Sequence, residues 1–163
     1  MPFNGRVSLS IQDKYNTPKN GWEDILQYIP KTQALWLPFY HDGSAKAVVE
    51  SLGYTNVYHE HRDFFTYDNE GLCIDNPPFS IKEKIIKKLM LRNKPFSLLL
   101  PLDTLERKYM KKYIQDLQIV IPASRYSYVE DTENKKSKPP FKSCWFCWNM
   151  QEFLQTNEKL IFL

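Results

Sequence analysis

This chain of 163 residues contains few cysteines, no long apolar run and no large excess of either charge. Its three cysteines cannot form a complete disulfide framework, which favours a reducing compartment. No segment approaches the ~20 apolar residues that cross a bilayer. Residues 1–10 also lack an apolar core of signal-peptide length. These absences predict a soluble, intracellular protein of the cytoplasm or nucleus, with no membrane partner.

The low net charge excludes a simple electrostatic argument for function. Lys and Arg number 22 against 19 Asp and Glu, and a net charge of +3 does not by itself indicate a nucleic-acid partner. Apolar and charged fractions of 42% and 25% are those of an ordinary globular domain. Aromatic residues, in contrast, are abundant at 15%. They can fill a core, or they can offer ring faces on which bases stack.

Hydrophobic periodicity along the chain alternates between that of buried strands and that of amphipathic helices. Strand-like runs are predicted at 34–40, 55–60, 71–74, 95–102, 118–129 and 142–150. Helical spacing is predicted at 22–30, 44–52, 80–89 and 106–117, with Ser80 as the N-cap of the third helix. Because no helix separates the last two strands, one of them is expected to run antiparallel.

This alternation predicts an α/β fold with a mostly parallel central sheet, helices on both faces and an antiparallel strand near the C-terminus. We interpret 1–163 as a single domain. It would comprise an N-terminal loop and helix at 1–33, a Rossmann-like core at 34–150 and a tail at 151–163 whose structure the pattern does not predict.

Ligands of such sheets bind beyond the carboxyl ends of the strands. The predicted strands end at Tyr40, Glu60, Ile74 and Leu102, so the segments after these residues are the candidate sites. One of them is the sequence Asp-Asn-Pro-Pro-Phe-Ser, residues 75–80.

Residues 76–79, Asn-Pro-Pro-Phe, have a chemical meaning if the ligand carries a planar amino group. The side-chain oxygen of Asn76 and the carbonyl of Pro77 can accept both amino hydrogens, which leaves the nitrogen lone pair directed at an electrophile. Pro77 and Pro78 fix φ and donate no N–H, so the carbonyl keeps its direction. The ring of Phe79 offers a face for a flipped base. The alternative is a purely structural turn, since Asp, Asn and Pro all favour turns.

These residues resemble a motif of the class I S-adenosylmethionine-dependent methyltransferases that modify the N6 amino group of adenine. That family carries (Asp/Asn/Ser)-Pro-Pro-(Tyr/Phe) after its fourth strand, as at 76–79 here. Residues 15–22, 38–44 and 63–64 resemble its other motifs in the expected order, and 121–149 is similar to the end of compact phage-type and Dam-like enzymes. The resemblance implies a Rossmann-like methyltransferase with S-adenosyl-L-methionine as cofactor and Asn76, Pro77, Pro78 and Phe79 as catalytic residues.

The cofactor site that the resemblance implies is spread over four segments. Tyr15, Thr17 and Pro18 would lie at the methionine end of the cofactor. Glu60 would take the ribose hydroxyls, and Asp63 with Phe64 would contact the adenine. The loop after the first core strand would supply Pro38, Phe39, Tyr40, Asp42 and Gly43.

Basic residues suggest where a polynucleotide would lie. Arg125 and the segment with Lys135, Lys136 and Lys138 are predicted to contact phosphates, with Ser80 beside the catalytic residues. The alternative is that these lysines, like those at 82–94, are only solvated surface. DNA is favoured over RNA as the partner. Because no target-recognition domain of ordinary size is present, a protein partner could supply target recognition.

Two other functions remain open. The same motif serves enzymes that methylate glutamine amides in proteins, although these usually carry Tyr in the last position. A non-catalytic binding subunit of the same fold is the second, because the cofactor loop has a single glycine and Leu37 stands where relatives are often acidic.

No metal site is predicted from the sequence. Cys144 and Cys147 should face opposite sides of a strand because they are an odd number of residues apart. His59 and His61 should lie on one side of a strand and are interpreted as ordinary surface or cofactor-rim histidines.

Overall fold

Ten strands and four α-helices make up the computed structural model, which describes residues 15–130, 136–137 and 141–163. The strands are β1 (Tyr15–Asn16), β2 (Leu35–Trp36), β3 (Val57–Tyr58), β4 (Leu72–Asp75), β5 (Phe96–Pro101), β6 (Leu117–Ile121), β7 (Tyr128–Glu130), β8 (Lys136–Ser137), β9 (Ser143–Trp148) and β10 (Leu160–Phe162). The helices are α1 (Lys19–Leu26), α2 (Ala45–Ser51), α3 (Lys82–Arg92) and α4 (Gln151–Leu154).

Seven strands form one mixed sheet in the order β3-β2-β4-β5-β9-β6-β10. Neighbouring strands are parallel except at β9, which runs antiparallel to both β5 and β6. The predicted α/β architecture, with a mostly parallel sheet and an antiparallel strand near the C-terminus, is confirmed. A second, antiparallel sheet has the order β1-β7-β8.

The large sheet separates two apolar clusters. Leu35 and Leu37 pack with α1 and α2 on one face, and Trp36 packs with α3 on the other. This division follows from the two-residue period of a strand, which sends successive side chains to opposite faces. Leu35 and Leu37 are fully buried, as expected of a central strand covered on both sides.

Strand β2 has a shorter hydrogen-bonded ladder than the apolar run at 34–40 predicts. Residues 35–39 are buried, but the ladder covers only Leu35–Trp36. Pro38 has no N–H to donate, and the N–H of Phe39 donates to the carboxylate of Asp75 instead of to a strand. The strand therefore ends by turning its backbone toward the neighbouring loop.

The prediction of one α-helix at 106–117 is wrong. Three short 3₁₀ helices occupy this region, at Leu102–Glu106, Lys108–Met110 and Ile114–Asp116. Arg107 has an extended backbone (φ −68°, ψ 137°), which interrupts any continuous α-helix. Tyr113 lies between the second and third 3₁₀ helices, and its N–H donates to the carbonyl of the buried Met110 at 2.9 Å, the i to i+3 bond of a 3₁₀ turn.

The start of α3 also differs from the prediction. Ser80 lies inside a 3₁₀ turn at Phe79–Ile81, and Ile81 occupies the N-cap position without a side-chain cap. The buried face of the helix, Ile85, Ile86 and Leu89, is as predicted.

The tail at 151–163 forms α4 and the edge strand β10, which adds to the large sheet parallel to β6. Over 15–130, 136–137 and 141–163, no helix is both long and apolar enough to cross a membrane.

Candidate functional site

The carboxyl ends of β2 and β4, the second and third strands from the β3 edge of the large sheet, lie side by side. The chain leaves β2 for β3 on one side, and it leaves β4 for β5 on the other. Such a reversal of strand order opens a crevice, which is where ligands bind in open α/β sheets. The segment 38–44 follows β2 and the segment 76–79 follows β4, so both line this crevice.

Asp75, the last residue of β4, joins the two segments. One carboxylate oxygen accepts the N–H of Phe39 at 2.7 Å, and the other accepts the N–H of Asn76 at 2.8 Å. A longer contact of 3.4 Å connects the Nε2 of His41 with the main-chain oxygen of Asn76. Burial raises the pKa of Asp75 well above its ordinary value, although both N–H groups act in the opposite direction.

Residues 76–79 are all buried. Asn76 is 5% exposed and Phe79 is 4% exposed. The ring of Phe79 meets that of Phe141 edge-on, with centroids 5.6 Å apart. A base could therefore stack on Phe79 only if Phe141 gives way.

The segment after β2 makes a tight turn with unusual backbone angles. His41 has φ 48° and Gly43 has φ 81°. A Cβ at position 43 would lie 2.6 Å from the hydroxyl oxygen of Tyr40, so only glycine fits beneath that ring. The ring of Tyr40 also stacks on that of His59, with centroids 4.9 Å apart. Tyr40 thus covers the backbone of the turn in this structure.

Asp42 supplies the carboxylate of this turn and accepts three hydrogen bonds. Its oxygens accept the N–H of Ser44 at 3.0 Å, the hydroxyl of Ser44 at 2.6 Å and the side-chain amide of Asn16 at 3.1 Å. Partial burial alone would raise the pKa of Asp42, but these hydrogen bonds outweigh it and the pKa lies below its ordinary value. Asp42 is therefore a charged carboxylate at neutral pH.

The contact with Asn16 brings the segment ahead of α1 to the same place. Tyr15 and Asn16 form β1, Thr17 is partly buried, and Pro18 occupies the N-cap position of α1. The hydroxyl oxygen of Thr17 is buried and has no hydrogen-bond partner within the part of the chain that the structure describes. Of the predicted cofactor residues, those before α1 and those after β2 are thus adjacent.

A small cavity of about 10 Å³, open to solvent, lies beyond the ends of β2 and β3. It contains three of the predicted cofactor residues, Pro38, Glu60 and Phe64. Its other lining residues are Trp36, Tyr58, Arg62 and Tyr67. Glu60 accepts a hydrogen bond from the Nε of Arg62 at 2.8 Å, an exposed pair that a ligand could displace at little cost.

Asp63 and Phe64 stabilise the turn that borders this cavity. A carboxylate oxygen of Asp63 accepts the N–H of Phe65 at 2.9 Å. Phe64 is 1% exposed and packs against Trp36 and Phe39, with centroid distances of 5.8 and 5.1 Å. Phe64 is therefore part of the core that supports the cavity rather than a freely exposed ring.

The basic residues fall into two groups. Arg125 is exposed, and Lys136 lies in β8, whose partner β7 pairs with β1 beside Asp42. Lys135 and Lys138 lie outside the described residues. The basic residues at 82–94, in contrast, largely bind the protein itself. These contacts are Lys87 with Glu83, Lys88 with the carbonyl of Phe64, Arg92 with Asp68, and Lys94 with Glu70.

His59, Cys144 and Cys147 are buried in the interior of the protein. The Nδ1 of His59 lies 2.8 Å from the carbonyl of Leu37, and since a carbonyl only accepts, Nδ1 carries the proton. Burial lowers the pKa of His59. Cys144 and Cys147 belong to opposite apolar clusters, as their spacing predicts. Among the described residues, no group of His, Cys, Asp and Glu is arranged to hold a metal ion.

Sequence reasoning missed three residues of the crevice. Asn16 and Ser44 bind Asp42, and Asp75 joins the two segments. Asn16 precedes Thr17-Pro18 and Asp75 precedes the motif at 76–79, so both positions were visible as neighbours of candidate residues. The contact of Asn16 with Asp42 spans 26 residues of chain and that of Asp75 with Phe39 spans 36, and no local pattern indicates either contact.

Comparison with known proteins adds no assignment. No protein-family model matches the chain, and no curated protein matches it significantly.

Proposed function

We propose that this chain is a class I methyltransferase that transfers a methyl group from S-adenosylmethionine to the amino group of adenine in DNA or RNA. The observation that carries the proposal is the contact between two segments at one strand reversal, through Asp75 and Phe39. Methyl transfer needs a donor site and an acceptor site within bonding distance of each other. Segments 38–44 and 76–79 would provide them on neighbouring strands.

The acceptor site would overcome the poor nucleophilicity of an adenine amine, whose lone pair is delocalised into the ring. The side-chain oxygen of Asn76 and the carbonyl of Pro77 would accept both amine hydrogens and leave the lone pair directed at the methyl group. As the N–CH₃ bond forms, the methyl–sulfur bond would break with its electron pair on sulfur, S-adenosylhomocysteine would leave, and the amine would release one proton to water. The burial of this segment supports the role, because hydrogen bonds are stronger where water does not compete. Pro77 and Pro78 would keep the carbonyl in place.

The donor site would hold S-adenosylmethionine, which supplies an electrophilic methyl group on a sulfonium when it is bound. The charged carboxylate of Asp42 fits the cationic methionine end of this molecule, and its hydrogen-bonded geometry is already formed. Thr17 and Pro18 would lie alongside, connected to Asp42 through Asn16.

The cavity beyond β2 and β3 has about the volume of one water molecule, so it would have to widen to take the adenosine end. Pro38 and the aromatic lining fit an adenine ring, and Glu60 would exchange Arg62 for the ribose hydroxyls. Asp63 would contact the adenine amine at the rim of the cavity. The overall architecture is compatible with this proposal, since the resemblance implies a mostly parallel sheet with an antiparallel strand near its end.

The polynucleotide would approach from the side of the small sheet. Arg125 and Lys136, with Lys135 and Lys138, would contact phosphates, and Ser80 would lie next to the flipped base. Recognition of a target sequence would then depend on few base contacts or on a protein partner.

The test begins with calorimetric titration of the purified chain with S-adenosylmethionine and with S-adenosylhomocysteine. We expect micromolar binding, followed by transfer of labelled methyl groups to DNA or RNA that contains adenine, and none to glutamine-containing peptides. Transfer to peptides alone would instead identify a glutamine-amide methyltransferase. Absence of binding at millimolar ligand would overturn the proposal in favour of a non-catalytic subunit.

Asn76→Ala tests the acceptor site specifically. We expect a loss of turnover on the order of a hundredfold or more, the size of effect produced by removing one group that stabilises a transition state. Cofactor affinity should stay close to that of the wild type. The matched control is Asn157→Ala, an exposed asparagine between α4 and β10. Turnover equal in the two variants would remove Asn76 from the site.

A further inference from the structure

Asp75 occupies an unusual environment for a residue in a strand-to-loop connection. Its side chain is 2% exposed, and it binds the backbone of two different segments, at Phe39 and at Asn76. A carboxylate that only stabilises a turn binds backbone groups within its own turn. Asp75 also reaches the end of the adjacent strand, 36 residues away in the chain.

The energetic cost of this arrangement is substantial. Removing a carboxylate from water is unfavourable unless its oxygens are fully hydrogen-bonded or paired with a cation. Within the described residues, no basic side chain forms a salt bridge with Asp75, and its partners are the two backbone N–H groups. An apolar residue would be less costly to bury at the end of β4. The carboxylate, however, holds segments 38–44 and 76–79 at a fixed distance from each other through its two hydrogen bonds.

We infer that Asp75 is a positioning residue that sets the distance between the methyl donor and the amine that accepts the methyl group. This inference rests on the proposed function. Reacting atoms must approach to about 3–3.5 Å in the correct alignment, and a misplacement of about 1 Å can reduce the rate about a hundredfold. Phe39 lies three residues before Asp42, and Asn76 is the first residue of the acceptor site. The side chain of Asp75 is therefore hydrogen-bonded both to the segment proposed to hold the methyl donor and to the segment proposed to hold the amine.

Asp75→Asn is the informative substitution because it preserves the shape of the side chain. An amide has one accepting oxygen, and its NH₂ group can only donate. Either the N–H of Phe39 or the N–H of Asn76 therefore loses its acceptor, and the two segments are no longer held by one group. Residues that contact the cofactor and the adenine remain unchanged.

The matched control is Ser97→Ala in β5. Ser97 is fully buried, pairs with Ile74 in the sheet register, and makes a 3.2 Å contact with the sulfur of Cys147. It is a buried polar residue on the strand next to β4, and within the described part of the chain its side-chain hydrogen-bond partner is Cys147. Loss of its hydroxyl should destabilise the fold without altering the crevice.

The experiment compares the wild type, Asp75→Asn and Ser97→Ala in thermal unfolding, cofactor titration and steady-state methyl transfer. For Asp75→Asn we expect kcat about a hundredfold lower, with KM for the polynucleotide and Kd for the cofactor changed less than about tenfold. Ser97→Ala should keep the wild-type kcat although its melting temperature falls. Equal kcat in the two variants would overturn the positioning role.

A measurement on the wild type does not depend on how well a variant folds. Amide hydrogen exchange should show that the N–H groups of Phe39 and Asn76 are protected as strongly as those of β4. Rapid exchange at Phe39 would overturn the inference, because the connection would not persist in solution. A wild-type chain that binds no cofactor would overturn the proposed function and the positioning role together. Activity in the wild type with equal kcat in both variants would overturn only the latter.

Discussion

The side-chain amide of Asn16 donates a hydrogen bond of 3.1 Å to the carboxylate of Asp42. This contact connects the segment before α1 to the turn after β2, which are 26 residues apart. Because Asn16 also pairs with Val129 in β7, the small sheet is attached to the same turn. Asp42 is thereby held in position from two directions, by Asn16 and by Ser44.

Asp42→Asn should weaken the binding of S-adenosylmethionine by about ten- to a hundredfold, since hydrogen bonds to charged groups contribute about 1.5–3 kcal/mol. Asn16→Ala should have a smaller effect, about fivefold, because it removes one neutral donor. Calorimetric titration measures both. The control is Asp103→Asn, an exposed carboxylate whose ion pair with Arg107 has a separation of 3.9 Å. Unchanged affinity in Asp42→Asn would exclude this residue from the cofactor site.

Gly43→Ala should destabilise the chain more than Gly53→Ala does. Both glycines have positive φ, 81° and 97°, so each substitution costs roughly 1–2 kcal/mol of backbone strain. At Gly53 the new Cβ would be 3.5 Å from the side chain of Lys31, an ordinary contact, whereas at Gly43 it would be 2.6 Å from the hydroxyl of Tyr40.

Denaturant unfolding of the two variants measures the difference. Combining Gly43→Ala with Tyr40→Ala removes the overlap, so that the effect of the alanine at 43 should then approach that of Gly53→Ala. If Gly43→Ala alone were no more costly than Gly53→Ala, Tyr40 would not cover this turn in solution.

Acidification should destabilise the fold through His59. Burial lowers the pKa of His59, so below its ordinary value of about 6.5 the native state binds fewer protons than the unfolded state. The free energy of unfolding should therefore decrease as the pH falls from about 6.5 toward the folded-state pKa. His59→Gln keeps a donor for the carbonyl of Leu37 and should reduce this pH dependence. His61→Gln, at an exposed position next to the ring of Tyr40, should retain it.

Urea unfolding at a series of pH values distinguishes these two variants. A wild-type slope that His59→Gln leaves unchanged would assign the acid sensitivity to other groups.

The three thiols should be unreactive in the native state. Burial raises the pKa of Cys144 to about 11 and that of Cys147 to about 12, and it also raises the pKa of Cys73. A thiol that is both buried and protonated reacts slowly, because the thiolate is the nucleophile. Ellman's reagent at pH 8 should detect three thiols only after denaturation. Rapid labelling of one thiol in the native chain would contradict the packing described for it.

Sequence patterns predicted the elements of the fold best where burial determines them. The run at 34–40 is continuously apolar and the run at 95–102 is apolar except for Ser97, because β2 and β5 are covered on both faces. The buried face of α3 follows the helical period. The prediction at 106–117 was wrong because apolar residues three apart suit a 3₁₀ helix as well as an α-helix. The extended backbone at Arg107, which decides between them, has no signal in the sequence.

The sequence by itself determined the chemistry available at the strand ends, including the amide and rigid carbonyl of Asn76 and Pro77 and the carboxylate of Asp42. It also determined which strands are buried, since apolar periodicity reflects local backbone geometry. Only the tertiary structure decided which strand ends are neighbours, because strand order depends on packing over the whole sheet. The contacts of Asp75 with Phe39 and of Asn16 with Asp42 exist for that reason. They join segments that are distant in the chain, and no local pattern encodes them.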